Sequence, residues 1–193
     1  MNFLQKRKLK ALRKKVEKTH TLREQDATNL NRKNEVTAQE ELAKFYAAHR
    51  FDKDIPNAEI LELECYRANA ALGEVRAQYL CGEHLLTKAK FWANWAQNPI
   101  YGASIHKKYA TNLFDEAFAY LEAADAVGYV LAKRLLGMIY IHGWGVPKDV
   151  GRGYKYVLDS IELEQAWDRA NRIFEELKLN SPEFFAALQS YKR

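Results

Sequence analysis

The sequence predicts an all-α protein of about four antiparallel helix pairs behind a basic N-terminal helical arm. Three observations lead there. Ala, Leu, Glu and Lys, which lose least on entering a helix, recur throughout, while only 4 prolines and 9 glycines interrupt 193 residues. Alternating β-branched runs of the kind that mark strands are absent. Small residues also recur at a fixed internal spacing, the signature of stacked helical units. A hydrophobic share of 48% is enough for a core, and the length suits one domain or three to four stacked pairs.

The basic arm comes first. Residues 1–33 hold eleven Lys/Arg, among them Lys6, Arg7, Lys8, Lys10, Arg13, Lys14 and Lys15, against three acidic residues, Glu17, Glu24 and Asp26. The arm therefore carries +8 of a chain total of +5, leaving −3 on residues 34–193. Leu9, Leu12 and Val16 lie at helical spacing as a narrow apolar stripe. Three readings are open: a solvated tail, electrostatic attachment to nucleic acid or an anionic membrane, or a helix docked through that stripe. Phe3 is the arm's only aromatic residue, which counts against stacking on single-stranded bases.

Residues 25–34 are polar and read as a linker. Thr37 with Glu40 then forms a capping box that opens the body, residues 37–193. Leu42, Phe45, Tyr46 and His49 share one face of a helix ending near Phe51. Pro56 and Asn57 open the next, with Ile60, Leu61, Leu63 and Cys65 running toward Ala71, so residues 37–72 form the first pair. With its own cap, the body is expected to fold without residues 1–33.

Gly73, Ala77 and Gly82 recur at a constant offset of 55 as Gly128, Ala132 and Gly137. Ala132 and Gly137 suit a close approach of two helices. Gly143 and Gly145 can take the positive φ of a tight turn, and Asp149 can cap the helix behind it. Residues 128–163 thus make a complete pair. The earlier copy, residues 73–127, contains an insertion near residues 88–108, which brings Phe91, Trp92, Trp95 and Tyr101 into the connection. Residues 164–193 supply a last pair. There Ala166, Trp167, Ala170, Ile173, Phe174 and Leu177 lie on one helix, and Pro182 stands at the first position of the next.

Gly128, Ala132, Leu136-Gly137, Tyr140 and the run Gly143-Trp144-Gly145-Val146-Pro147-Lys148-Asp149 closely resemble the consensus of the Sel-like repeat family, a branch of the tetratricopeptide-type α/α repeat proteins. Gly153 and Ser160-Ile161 depart from it, since the family usually places alanines there. The resemblance implies a short right-handed α/α solenoid and a scaffold or adaptor that binds proteins. The outward positions Arg76, Lys133 and Arg134, with Trp92 and Trp95 from the insertion, are the expected partner contacts. Packing of the insertion on its own solenoid is the competing expectation for the two tryptophans.

Catalytic motifs are not found. The histidines His20, His49, His84, His106 and His142 lack metal-ligand spacing, and His142 reads as a solvated turn residue. The glycines at 143, 145, 151 and 153 follow no strand and precede no Lys-Ser/Thr, so they do not make a phosphate loop. No cofactor, metal or small-molecule substrate is expected. Cys65 and Cys81 read as buried thiols of a reducing compartment. Without a secretory or membrane-spanning segment, the chain is expected to be cytoplasmic. The expected function is a non-catalytic protein–protein adaptor, with binding of nucleic acid or an anionic membrane through the arm as the alternative.

Overall fold

Helix formation begins at Asn2, whose side chain accepts the backbone N–H of Gln5 while the Gln5 side chain accepts that of Asn2. The computed structural model describes residues 1–98, 100 and 104–191, and every regular element among them is helical. In order these are α1 (Phe3–Gln25), α2 (Asn29–Ala48), α3 (Ala58–Ala71), α4 (Val75–Ala96), α5 (Ser104–Ala126), α6 (Val130–His142), α7 (Val150–Leu163), a 3₁₀ turn (Trp167–Arg169), α8 (Ala170–Glu176) and α9 (Pro182–Tyr191). The chain divides into two compact units, Met1–Cys81 and Gly82–Arg193.

In the first unit α2 packs against both α1 and α3. Leu9 is only 7% exposed and shares a core with Leu42, Phe45 and Tyr46, with Leu12 and Val16 against its edge. The basic segment is therefore an integral helix and not a solvated tail. The expected linker and capping box are corrected with it. Thr28 caps α2 by accepting the N–H of Asn31, and Thr37 lies inside that helix, its hydroxyl donating to the carbonyl of Lys33. The boundary placed between residues 33 and 37 thus falls within α2.

The reason is a buried charge. Glu35 sits on the packed face of α2, where Arg23 Nε donates to it at 2.5 Å and His20 Nδ1 at 2.9 Å, both from α1. A polar residue that turns inward toward a partner on another helix does not look apolar in sequence. Removing one member of such a pair leaves the buried carboxylate without its partner and destabilises the packing of α2 on α1. Glu62 on α3 is held in the same way by both nitrogens of a fork from Arg50, at 2.8 and 2.9 Å.

In the second unit α6 packs between α5 and α7, and α7 also packs against α9. Helix pairing here depends on missing side chains. A Cβ at Gly137 would lie 2.8 Å from the carbonyl oxygen of Gly153, and one at Gly153 would lie 2.6 Å from that of Gly137. Gly153, a departure from the family pattern, is thus the second half of a glycine–glycine crossing. Gly82 meets α5 in the same manner, with Leu121 Cγ 2.5 Å and the Ala117 oxygen 3.1 Å from its would-be Cβ. Ser160, the other departure, is fully buried and donates to the carbonyl of Val157 at 2.6 Å.

The turn between α6 and α7 has the expected geometry: Gly143 and Gly145 have φ of 71° and 74°, and the Asp149 carboxylate accepts the N–H of Arg152 at 2.9 Å. The insertion differs from expectation. Most of it lengthens α4 to Ala96 and begins α5 at Ser104, so Trp92 and Trp95 stand on a helix and not in a loop. Ala89, on this extended part of α4, is fully buried. Tyr101 lies outside the described residues. At the end of the chain Phe184 is fully buried against Tyr154 and Phe174, and Ser181 caps α9 ahead of Pro182.

Gly153→Ala should cost about 1–3 kcal/mol, because its new methyl meets backbone that cannot yield without parting the helices. Gly151→Ala has only Asp149 Oδ1 at 3.8 Å and should be neutral or stabilising through its better helix propensity. Thermal melts followed by circular dichroism should separate the two variants. Equal melting temperatures would contradict the crossing.

Candidate functional site

The small residues that let α4 and α6 seat on their neighbours leave another face of each helix open. In the second unit a cleft of about 570 Å³ lies among α4, α6 and residues 176–181, the end of α8 and its link to α9. Its floor is apolar: Leu86 from α4, Met138 and Ile141 from α6, then Leu177 and Leu179. Polar groups stand at its rim, namely Glu83, Thr87 and Lys90 on α4, His142 on α6, and Asn180 and Ser181 ahead of α9. Lys178 holds φ of 58°, a left-handed conformation that reverses the chain after α8 and brings Leu179 back toward the core.

Trp144 organises one end. Its ring stacks on His142 at 4.4 Å between centroids and 18° between planes, and Lys90 Nζ lies 4.1 Å from its centroid. His142 is thus exposed but engaged, not simply a solvated turn residue. Partial burial, then the nearby Lys90 and Lys148, hold its imidazole below the usual histidine range. At the other end the Tyr154 hydroxyl is 3.0 Å from Ser181 Oγ. The arrangement offers apolar contact flanked by donors and acceptors of both charges.

The residues singled out from the sequence are distributed differently. Arg134 forms an ion pair with Glu164 at 2.6 Å and donates to Ser160 at 3.2 Å. Lys133 pairs with Asp125 at 2.9 Å and lies over the ring of Tyr156 at 5.2 Å. Both hold α6 to its neighbours and do not form an outward contact surface. Arg76 is exposed in the first unit, at the edge of a small cleft containing Glu40, Lys44 and Glu74. Trp92 and Trp95 do come together: Phe91 contacts both rings, and Trp92 rests half-buried on His106 and Tyr109 of α5. In α1, Lys6 pairs with Asp54, Lys15 with Glu41, and Arg13 donates to the Tyr46 hydroxyl. Arg7, Lys8, Lys10 and Lys14 are exposed.

Cys65 and Cys81 are buried thiols not joined in a disulfide, and Cys65 is pushed up to about 12, first by burial and then by Glu62 and Glu64. Among the described residues no group of three or more His, Cys, Asp or Glu is placed to hold a metal, and no helix is long and apolar enough to cross a membrane. The cleft escaped the sequence analysis because its lining comes from three separated segments. The one local signal was Trp144, a large aromatic residue in a glycine turn.

No family model matches the chain, and no curated protein matches it either.

The imidazole of His142 should titrate with a midpoint below the ordinary value near 6.5. Its neutral form is favoured by folding, so this contribution to stability is full above the unfolded value and is lost as pH falls through the folded one. Lys90→Ala should move the midpoint upward, measured by NMR of the imidazole protons. A midpoint unchanged by that substitution would remove Lys90 from the site.

Proposed function

We propose that this protein is a non-catalytic adaptor that binds an extended segment of a protein partner in the cleft of its second unit. The observation that carries this reading is the cleft's composition, an apolar floor with donors, acceptors and charges of both signs along its rim. Alternate side chains of an extended segment would fill the floor, while its backbone and polar side chains would meet Lys90, His142, Asn180 and Glu83. The Sel-like repeat resemblance points the same way. The matching approaches of Gly82 to α5 and Gly137 to α7 are what two copies of one unit would produce, and a right-handed solenoid is the architecture proposed from them. The burial that pushes the Cys65 thiol up argues against this one residue as a nucleophile, because the thiolate is the reactive form. Two buried thiols that form no disulfide fit a reducing compartment such as the cytoplasm.

A second reading rests on α1. Its exposed Arg7, Lys8, Lys10 and Lys14 form a cationic ridge suited to nucleic acid or an anionic surface. Binding there would weaken steeply with salt, whereas apolar binding in the cleft would not.

Peptides selected from a random linear library against the whole chain test the cleft. Thr87→Arg places a long cation in it from an exposed helix position, where substitutions usually move stability by no more than about 0.5 kcal/mol. The variant should bind the selected peptides at least tenfold more weakly at an unchanged melting temperature. Equal affinities for parent and variant would contradict the proposal.

A further inference from the structure

The end of α4 and the start of α5 carry a second surface, independent of the cleft. Phe91 is 54% exposed, Trp95 41%, Ile105 68% and Tyr109 47%. These side chains are not scattered. Phe91 lies 5.5 Å from Trp92 and 6.1 Å from Trp95 between ring centroids, and Trp92 lies 5.4 Å from Tyr109. Ile105 precedes Tyr109 by one helical turn on α5. Half-buried Trp92 therefore supports a continuous aromatic and apolar patch spanning two helices, and large patches of that kind mark interaction sites.

The charge around the patch selects its partner. Between Glu83 and Asp115 the sequence contains Lys88, Lys90, Lys107 and Lys108 and no Asp or Glu. Lys88 lies one turn before Phe91 and Trp92, and Lys107 and Lys108 adjoin Tyr109 and are exposed. Lys90 is engaged over Trp144. A stretch of one sign around exposed Trp, Tyr, Phe and Ile matches a lipid–water interface carrying negative headgroups. Indole and phenol rings settle at headgroup level, and lysine ammonium groups meet lipid phosphates. Among the described residues no helix could cross a bilayer, so contact would be shallow.

We infer that Phe91, Trp95, Ile105 and Tyr109 form a membrane-docking patch that inserts into the interface of an anionic bilayer, with Lys107 and Lys108 meeting its headgroups. Vesicles of phosphatidylcholine alone, and of phosphatidylcholine with about one-third phosphatidylglycerol, provide the test by co-sedimentation with the full chain. The chain should bind the anionic vesicles at least tenfold more tightly than the neutral ones. Phe91→Ser with Trp95→Ser should weaken that binding at least tenfold with an unchanged melting temperature, since both side chains are exposed. Arg7→Ala, Lys10→Ala and Lys14→Ala together, on the α1 ridge, should leave most of it, and loss of the binding in that variant would assign it to the ridge and overturn the inference. Failure of the full chain to bind anionic vesicles would overturn the inference. So would a double variant that binds them like the parent, including one that loses a protein partner instead, which would make the patch a protein surface. Peptide binding in the cleft should survive the double variant, so the two proposals can fail separately.

Discussion

Two helices of the second unit meet where neither has a side chain. At the α6/α7 crossing the carbonyl oxygen of Gly137 lies where a Cβ of Gly153 would need its space, and the reverse holds as well. Because the backbones are this close, Val157 and Ile161 reach into a core with Met138, Ile141 and Tyr154, and α7 can in turn carry α9 and the buried Phe184. Packing at such density leaves little tolerance for one added methyl group. Gly82 against Ala117 and Leu121 imposes the same constraint on α4 and α5, where the leucine side chain takes part of the crowding.

The consequence for function is positional. With α6 seated on α7, Met138 and Ile141 form the floor beside Leu86 of α4, and the turn after α6 carries Trp144 to the edge of the cleft. Lys90, His142 and Trp144 then converge from two helices and one turn, although more than 50 residues separate the first from the last. The first unit is held by another device, buried carboxylates gripped by arginines. Glu35 takes Arg23 from α1, and Glu62 takes Arg50 from the segment before α3. This device makes the basic helix part of the fold while leaving Arg7, Lys10 and Lys14 exposed.

Where the controlling interaction was local, the sequence was readable. The turn at Gly143 and Gly145, the cap at Asp149 and the start of α9 at Pro182 each follow from backbone chemistry within a few residues. Errors arose where a distant partner decided. Residues 25–34 looked like a linker because they are polar, and only Arg23 and His20 on another helix make the neighbouring Glu35 an interior position. Thr37 and Glu40 matched a capping box, yet the helix had already started at Thr28. Lys133 and Arg134 looked outward until Asp125, Ser160 and Glu164 engaged them. Gly153 was a departure from a consensus until Gly137 was placed opposite it. The cleft was illegible because Leu86, Met138 and Leu177 belong to three segments, each with an ordinary helical pattern.

The cleft as the seat of partner binding is most directly tested by backbone and indole NMR of the whole chain, titrated with a peptide that it binds. Perturbations should centre on the Trp144 indole, His142, Thr87 and Asn180, with Lys178 shifting as its strained turn adjusts. Shifts confined to α1 and α2, with the Trp144 indole unmoved at saturation, would contradict the account.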